Sequence, residues 1–145
     1  MATETLDFKI TLSGTYWDKK PSFVIAVNGE EVIKSTISAP SGEHEVYEFK
    51  LDLDEDAEHV LSVSLEGKTF SDTVQNADKT EILKDMLLNI EQVEIDGINI
   101  GTLKWTHTEY KHDGEVETKT VNLGRNGSWE LKFNLPFYIW MLENT

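Results

Sequence analysis

Apolar and polar residues alternate with a period of two along several stretches of this chain, and that pattern limits the folds open to it. The alternation is clearest over residues 6–13, 47–53, 61–65 and 129–135. Because successive side chains of a β-strand point to opposite faces of a sheet, each stretch has one apolar and one polar face. Apolar faces of this kind are buried when one sheet packs on another. The pattern therefore predicts an all-β protein.

Turn residues separate the predicted strands. The pairs Asn28-Gly29 and Asp96-Gly97 each stand between apolar runs. Such pairs tolerate the positive φ angles of tight hairpins, so both positions predict a hairpin turn. About nine short strands with little helix are typical of a jelly-roll-like β-sandwich.

The pattern changes at two places in the second half of the chain. Between Ile90 and Val93 the alternation slips by one residue, which predicts a β-bulge. From Gly101 onward the strands are less regular. We therefore expect residues 1–100 to form the sandwich and residues 101–145 to form a β-rich extension, packed on the sandwich or on a neighbouring subunit.

The balance of charges narrows the range of partners. The chain has 27 acidic and 13 basic residues, and its net charge at pH 7 is -14. Such a surface repels the phosphates of nucleic acids and of anionic membranes, so we expect neither as a partner. High solubility is the simplest reason for the charge, and divalent-cation binding and mimicry of DNA are the alternatives.

Several classes of protein are excluded by what the sequence lacks. There is no cysteine, which excludes disulfides and thiolate metal sites. The first residues have neither the basic region nor the apolar run of a signal peptide. No segment approaches the about 20 apolar residues that cross a bilayer. We expect a soluble protein that is made in the cytoplasm.

The sequence contains no motif of an enzyme. Gly-x-Ser-x-Gly and His-Glu-x-x-His patterns and phosphate-binding glycine-rich loops do not occur. Of the 4 histidines, only His107 and His112 lie close together along the chain, either as surface residues or as a metal pair. We expect no catalytic residue and no enzymatic activity.

Residues 66–85 form a long polar segment with many side-chain oxygens. Ca²⁺ is held by about six to eight oxygens from carboxylates, amides and loop carbonyls. One interpretation is a calcium site, whose ligands would be Asp72, Asn76, Asp78 and Asp85. The other interpretation is a solvated acidic loop without a metal.

Two aromatic residues follow the first predicted strand. Tyr16 and Trp17 come directly after a Ser-Gly-Thr segment at the rim of the predicted sandwich. A flat ring at a rim can stack on the face of a sugar or anchor a protein interface. Packing against the edge of the domain is the alternative.

The C-terminal segment 136–142 is apolar at every position. It is either a strand buried on both faces or a short helix that begins after Pro136. Because apolar groups are not left in water, we expect the segment to pack on the domain or on a partner. The residues predicted to form such an interface are Phe137, Tyr138, Trp140 and Leu142.

Four short segments carry a resemblance to a known family: ITLSGT at 10–15, KPSFVIAVNGE at 20–30, DMLLNI at 85–90 and VEIDG at 93–97. Together they resemble the calcium-dependent xylan-binding carbohydrate-binding modules. The resemblance implies a jelly-roll sandwich, with a calcium ion in a long loop that contacts the sugar hydroxyls.

The resemblance also suggests a role for one residue. Asp85 corresponds to the aspartate of the Asp-Arg-Asn-Leu segment of that family, and here the segment reads Asp-Met-Leu-Leu. Residues 71–76 (SDTVQN) lack the Asn-Asp pair that the family has in the preceding loop.

A second resemblance is carried by KDMLLNI at 84–90, DGINIG at 96–101, NLGRNGSW at 122–129 and PFYIWMLEN at 136–144. These segments resemble small virion proteins of tailed bacteriophages. The resemblance implies a virion location, with other virion proteins and copies of the same chain as partners.

We therefore expect a non-enzymatic structural component that decorates or joins parts of a bacteriophage particle. It would assemble through sheet edges and the apolar C-terminal segment. The alternative is a calcium-dependent carbohydrate-binding module that recognises a host or plant polysaccharide.

Overall fold

The alternating segments form the strands of two stacked antiparallel sheets. The computed structural model of the protein describes residues 2–145. The strands in chain order are β1 (Thr3–Thr15), β2 (Ser22–Val27), β3 (Glu30–Thr36), β4 (His44–Asp54), β5 (Glu58–Glu66), β6 (Val74–Gln75), β7 (Ile82–Lys84), β8 (Leu87–Ile95), β9 (Ile98–Asn99), β10 (Thr108–His112), β11 (Glu115–Thr118), β12 (Asn122–Leu123) and β13 (Gly127–Asn134). The helices are a 3₁₀ turn (Phe70–Asp72), α1 (Leu103–Thr106) and α2 (Phe137–Asn144).

The strands form two large sheets and one separate hairpin. The first sheet has the order β12-β8-β1-β4, with β9 paired to β8. The second sheet has the order β11-β10-β13-β5-β2-β3, and β6 pairs with β7 outside both sheets. Thirteen strands exceed the predicted nine because four of them, β6, β7, β9 and β12, have only two or three residues.

Both predicted hairpin turns are confirmed. Asn28 and Gly29 join β2 to β3 with φ angles of 54° and 80°. Asp96 and Gly97 join β8 to β9 with φ angles of 53° and 75°. Two consecutive positive φ angles give the turn a twist that matches the twist of the flanking strands.

The predicted bulge is also confirmed. Thr11 pairs with Gln92 and Leu12 pairs with Ile90, which leaves Glu91 as the extra residue on β8. Because of the extra residue, Ile90 and Val93 point to the same face of the sheet although they are three positions apart, and both are buried.

Phe133 on β13 connects the two sheets and the C-terminal helix. Its ring centroid lies 6.3 Å from that of Phe8 on β1, in the opposite sheet. It also lies 5.7 Å from Phe137 and 6.5 Å from Trp140, both on α2. The core therefore extends from the sheet interface to the helix that closes one end of the sandwich.

Strands after residue 100 belong to both sheets. β13 lies between β5 and β10 in the second sheet, and β12 pairs with β8 in the first. The pairing of β13 with β5 and of β12 with β8 joins residues 1–100 and 101–145 through backbone hydrogen bonds. The boundary between these two parts stays a prediction. No helix within residues 2–145 has the length and apolarity that a bilayer-spanning segment requires.

The substitution Phe133→Ala tests the central position of this ring. Because Phe133 is 1% exposed, we expect a loss of about 3–5 kcal/mol in the free energy of unfolding, measured by urea denaturation. Phe70→Ala is the matched control, since the Phe70 side chain is fully exposed. Equal effects of the two substitutions would contradict the packing described here.

Candidate ligand-binding cleft

A cleft of about 740 Å³ opens where the alternating pattern of the strands stops. One wall is the segment between β5 and β8, which includes Phe70 and Asp85. The other walls are the β10–β11 hairpin, which includes Glu117, and strand β12 with the β12–β13 connection, which include Asn122 and Asn126. Apart from the exposed ring of Phe70 and the exposed side chain of Ile82, the lining side chains offer hydrogen-bonding groups to the cleft.

Phe70 lies fully in solvent at the rim of the cleft, with a relative exposure of 102%. A rigid turn holds it there. The Asp72 carboxylate accepts hydrogen bonds from the Thr69 backbone N–H (2.8 Å) and the Thr69 hydroxyl (3.1 Å). The indole N–H of Trp17 donates to the Asp72 carbonyl at 3.0 Å, which fastens the turn to the sandwich.

The carboxyl of Asp72 is buried and ionised in this arrangement. The hydrogen bond from the Thr69 backbone N–H holds its pKa below the ordinary value, and the nearby ammonium of Lys19 acts in the same direction. Lys19 Nζ lies 3.8 Å from Asp72 Oδ2 and also donates to the carbonyl of Gly67. Asp72 is therefore a structural anchor of the turn.

Lys68 and Asp85 form a nearly buried ion pair at the base of the cleft. Lys68 Nζ donates to Asp85 Oδ1 and to the carbonyl of Gly124, each at 2.6 Å. The same Asp85 oxygen accepts from the Thr73 hydroxyl at 2.7 Å and the Met86 backbone N–H at 2.8 Å. Burial alone would raise the pKa of Asp85, but the hydrogen bonds from Lys68, Thr73 and Met86 outweigh it and lower the pKa.

Asn126 joins the base of the cleft to the β12–β13 connection. Its side-chain oxygen accepts from the Lys68 backbone N–H, and its side-chain nitrogen donates to the Lys68 carbonyl, both at 2.9 Å. These two bonds satisfy backbone groups of the polar segment that have no partner in a β-sheet.

The polar side chains of the β10–β11 wall have partners at close range. His112 Nε2 and Glu117 Oε2 lie 2.8 Å apart. Arg125 Nη1 lies 3.7 Å from Asp113 Oδ2. The Tyr110 hydroxyl accepts from the Arg125 backbone N–H at 3.0 Å and donates to the Arg125 carbonyl. Burial of Tyr110 raises the pKa of its hydroxyl, so the hydroxyl stays protonated as a donor.

The structure does not bring the four predicted calcium ligands together. Asn76 Oδ1 accepts from the backbone N–H groups of Thr80 (2.9 Å) and Glu81 (3.3 Å) within the β6–β7 hairpin. Asp78 is exposed at the tip of that hairpin. In the part of the chain from 2 to 145, no group of three or more Asp, Glu or His side chains is placed to hold a metal ion. The ammonium of Lys68 stands beside Asp85 instead, so these residues do not fit the predicted ion.

Tyr16 and Trp17 do not line the cleft. The Tyr16 hydroxyl donates to the Ala39 carbonyl at 3.0 Å, and the ring packs on the core. Trp17 is 43% exposed, and Lys84 Nζ lies 5.1 Å from its ring. Both residues hold the rim in place, and their role in ligand binding stays a prediction.

The four predicted interface residues divide into two pairs on α2. Phe137 and Trp140 are buried in the core of their own chain, which leaves them unavailable to a partner. Tyr138 and Leu142 are 58% and 74% exposed. The interface stays a prediction for Tyr138 and Leu142 alone. The segment is a helix, one of the two predicted conformations.

The most prominent residues of the cleft, Phe70 and Lys68, were not predicted. The available signal was a lone aromatic residue within the polar segment 66–85, with no apolar partner two positions away. Such a ring has no place on the dry face of a strand. The pairing of Lys68 with Asp85 has no signal in the sequence, because it depends on how the segment folds back.

A second cavity, of about 590 Å³, lies at the first sheet near Asp7, Lys9 and Lys50. Its two aromatic residues are Phe8 and Phe49, which stack on each other at 4.8 Å as part of the sandwich. Phe8 is buried and Phe49 is half-buried, so neither presents as much ring surface to a ligand as the fully exposed Phe70, and the cleft beside Phe70 is the stronger candidate.

Comparisons with known proteins give matches among solved structures only. No family model and no curated protein matches the sequence. The structure of vCBM60 in complex with galactobiose is similar with a TM-score of 0.56 at 9% identity, covering 86% of this chain and 96% of that chain. A selenomethionine form of vCBM60, from work linking two families of calcium-dependent carbohydrate-binding modules by circular permutation, has a TM-score of 0.57 at 9% identity, covering 87% and 89%.

The predicted fold class is confirmed by this likeness. The chain is an all-β sandwich like that of carbohydrate-binding modules. At 9% identity the likeness carries the fold alone. The resemblance to virion proteins is not tested by these matches.

The pH dependence of the unfolding free energy tests whether the Lys68–Asp85 pair stabilises the fold. A carboxyl whose pKa is lower in the folded than in the unfolded protein stabilises the fold above its unfolded pKa, about 3.9, and this stabilisation is lost as the pH falls toward the folded value. We expect Asp85→Asn to show a smaller loss of unfolding free energy than the wild type between about pH 5 and pH 3, measured by urea denaturation.

Asp78→Asn is the matched control, because Asp78 is exposed at the hairpin tip. It should follow the wild-type pH dependence. An Asp85→Asn variant that follows it as well would show that the Lys68–Asp85 pair does not stabilise the folded state.

Proposed function

We propose that the cleft binds an uncharged oligosaccharide and that the protein is a glycan-binding module without enzymatic activity. The observation that carries the proposal is the fully exposed ring of Phe70 at the rim of a polar cleft. Covering an apolar ring that lies in water is favourable, because its apolar surface is removed from water. The apolar face of a sugar ring is a suitable cover, because its C–H groups meet the π face while its hydroxyls stay at the edge.

Polar groups of the cleft suit the hydroxyls of a sugar. Asn122 provides an amide donor and acceptor. The Asn126 amide keeps its second N–H beyond the bonds to Lys68, and Asp85 keeps Oδ2 as an acceptor beside the bonded Oδ1. Binding pockets combine one apolar surface with a few placed polar groups that fix the orientation of the ligand. In this proposal Phe70 is the stacking surface and the amides select among hydroxyl configurations.

The charges favour an uncharged ligand. The cleft acids face cations at close range, as in the Lys68–Asp85 pair at 2.6 Å and the Arg125–Asp113 pair at 3.7 Å. With a net charge of -14, the protein as a whole repels polyanions. The neighbour vCBM60, whose complex contains galactobiose, supports the choice of a neutral glycan.

A second proposal concerns assembly into a bacteriophage particle, with other virion proteins and copies of the chain as partners. It rests on the sequence resemblance and on one surface. Tyr138, Ile139 and Leu142 are exposed apolar residues on α2, with Leu142 at 74%. A particle-surface protein that binds host glycans would combine both proposals.

Phe70→Ala tests glycan binding. A glycan array first identifies neutral ligands, with galactobiose included, and calorimetry then measures affinity. Because removing the ring removes the stacking surface, we expect the dissociation constant to rise about tenfold or more. The melting temperature should not change, since the ring packs on nothing.

Tyr138→Ala is the matched control for this measurement. Tyr138 is 58% exposed on α2 and does not line the cleft, so the variant should bind as the wild type does. An array without any glycan ligand, or a Phe70→Ala variant of unchanged affinity, would contradict the proposal.

Leu142→Glu tests the assembly surface. A charge in the centre of an apolar contact is costly, so we expect the substitution to abolish concentration-dependent oligomers seen by sedimentation velocity. Leu83→Glu is the control, since Leu83 is 58% exposed on β7, in the hairpin outside both large sheets. A wild-type chain that stays monomeric at every concentration would remove the support that α2 gives to assembly.

A further inference from the structure

We infer that the ammonium of Lys68 is a built-in cation that organises the cleft, and that the fold and its glycan affinity are independent of calcium. The part concerning glycan affinity rests on the function proposed above. The part concerning the fold rests on the contacts of Lys68 alone.

Lys68 joins three separate segments of the chain. Its Nζ donates at 2.6 Å to Asp85, which precedes β8, and at 2.6 Å to the Gly124 carbonyl, between β12 and β13. The Asn126 side chain accepts from the Lys68 backbone N–H and donates to the Lys68 carbonyl, both at 2.9 Å. Only 9% of its side chain is exposed. A metal ion in a loop fixes separate segments in the same way, through carboxylate and carbonyl oxygens.

The charges of the Lys68–Asp85 pair do not favour binding of a divalent cation. The Asp85 carboxylate carries one negative charge and Lys68 one positive charge, so the pair is neutral. Asp85 Oδ1 accepts hydrogen bonds from three donors: Lys68 Nζ, the Thr73 hydroxyl and the Met86 backbone N–H. Ca²⁺ requires about six to eight oxygens at roughly 2.3–2.6 Å, and it repels an ammonium at such distances.

The Lys68 ammonium differs from a bound metal ion because it is covalently attached to the chain. It cannot dissociate or be removed by a chelator, so the geometry of the cleft does not vary with the concentration of free calcium. In this respect the protein differs from the calcium-dependent families to which the structural neighbours are linked.

The wild-type protein gives the first test. Its melting temperature is measured by calorimetry in millimolar CaCl₂ and in EDTA, and Ca²⁺ is titrated into it directly. We expect the same melting temperature in both solutions and no binding heat. A calcium site filled at about a hundred times its dissociation constant would raise the melting temperature by roughly 5–10 °C for a domain of this size. Such a rise would overturn the inference.

Lys68→Met gives the second test. Because it leaves the Asp85 carboxylate in a poorly hydrated site without its partner, we expect the melting temperature to fall by roughly 5 °C or more. In the Asp85→Asn background the same substitution should cost much less. Lys50→Met is the matched control, since Lys50 is 74% exposed and lies 3.5 Å from Asp7. Equal small effects at Lys68 and Lys50 would also overturn the inference.

The glycan measurement separates this inference from the function proposed above. Equal glycan affinity in CaCl₂ and in EDTA supports both. Affinity that disappears in EDTA overturns the inference and leaves the glycan-binding function standing. Absence of glycan binding in both solutions, with an unchanged melting temperature, contradicts the glycan-binding function and supports a calcium-independent fold.

Discussion

Burial of one face of each sheet against the other is the constraint on which the remaining structure depends. Phe8 and Phe133 meet across the interface at 6.3 Å, and the neighbouring strands carry inward-facing residues that are almost fully buried. The bulge at Glu91 keeps Ile90 and Val93 both on the dry side of β8. Because hydrophobic burial of this kind is independent of the loops, the rim is free to carry polar groups.

The cleft is organised by different forces. Between β5 and β8 the chain has few apolar residues to bury, and it is held by hydrogen bonds around Asp72 and by the Lys68–Asp85 pair. Buried polar groups of this kind are costly unless each has a partner, and here the partners come from three parts of the chain. The same contacts that satisfy these groups fix the position of Phe70.

Periodicity and turn residues were sufficient to predict the sandwich, both hairpin turns and the bulge, because these features depend on local patterns. The cleft was beyond such reasoning. The pattern of acidic residues predicts Asp72 and Asp85 as ligands for a cation, but it does not identify Lys68 as that cation, since the contact of Lys68 with Asp85 spans 17 positions of an irregular segment. The tail was predicted to pack on the domain or on a partner, as a strand or as a helix, and its helical form buries Phe137 in the domain and leaves Leu142 exposed.

Chemical-shift mapping by NMR during titration with a neutral oligosaccharide tests the central claim most directly. Binding in the cleft predicts the largest shifts for the ring of Phe70 and the side-chain amides of Asn122 and Asn126, in the presence of EDTA. Shifts confined to the second cavity, near Asp7 and Lys50, or the absence of any shift, would contradict the account.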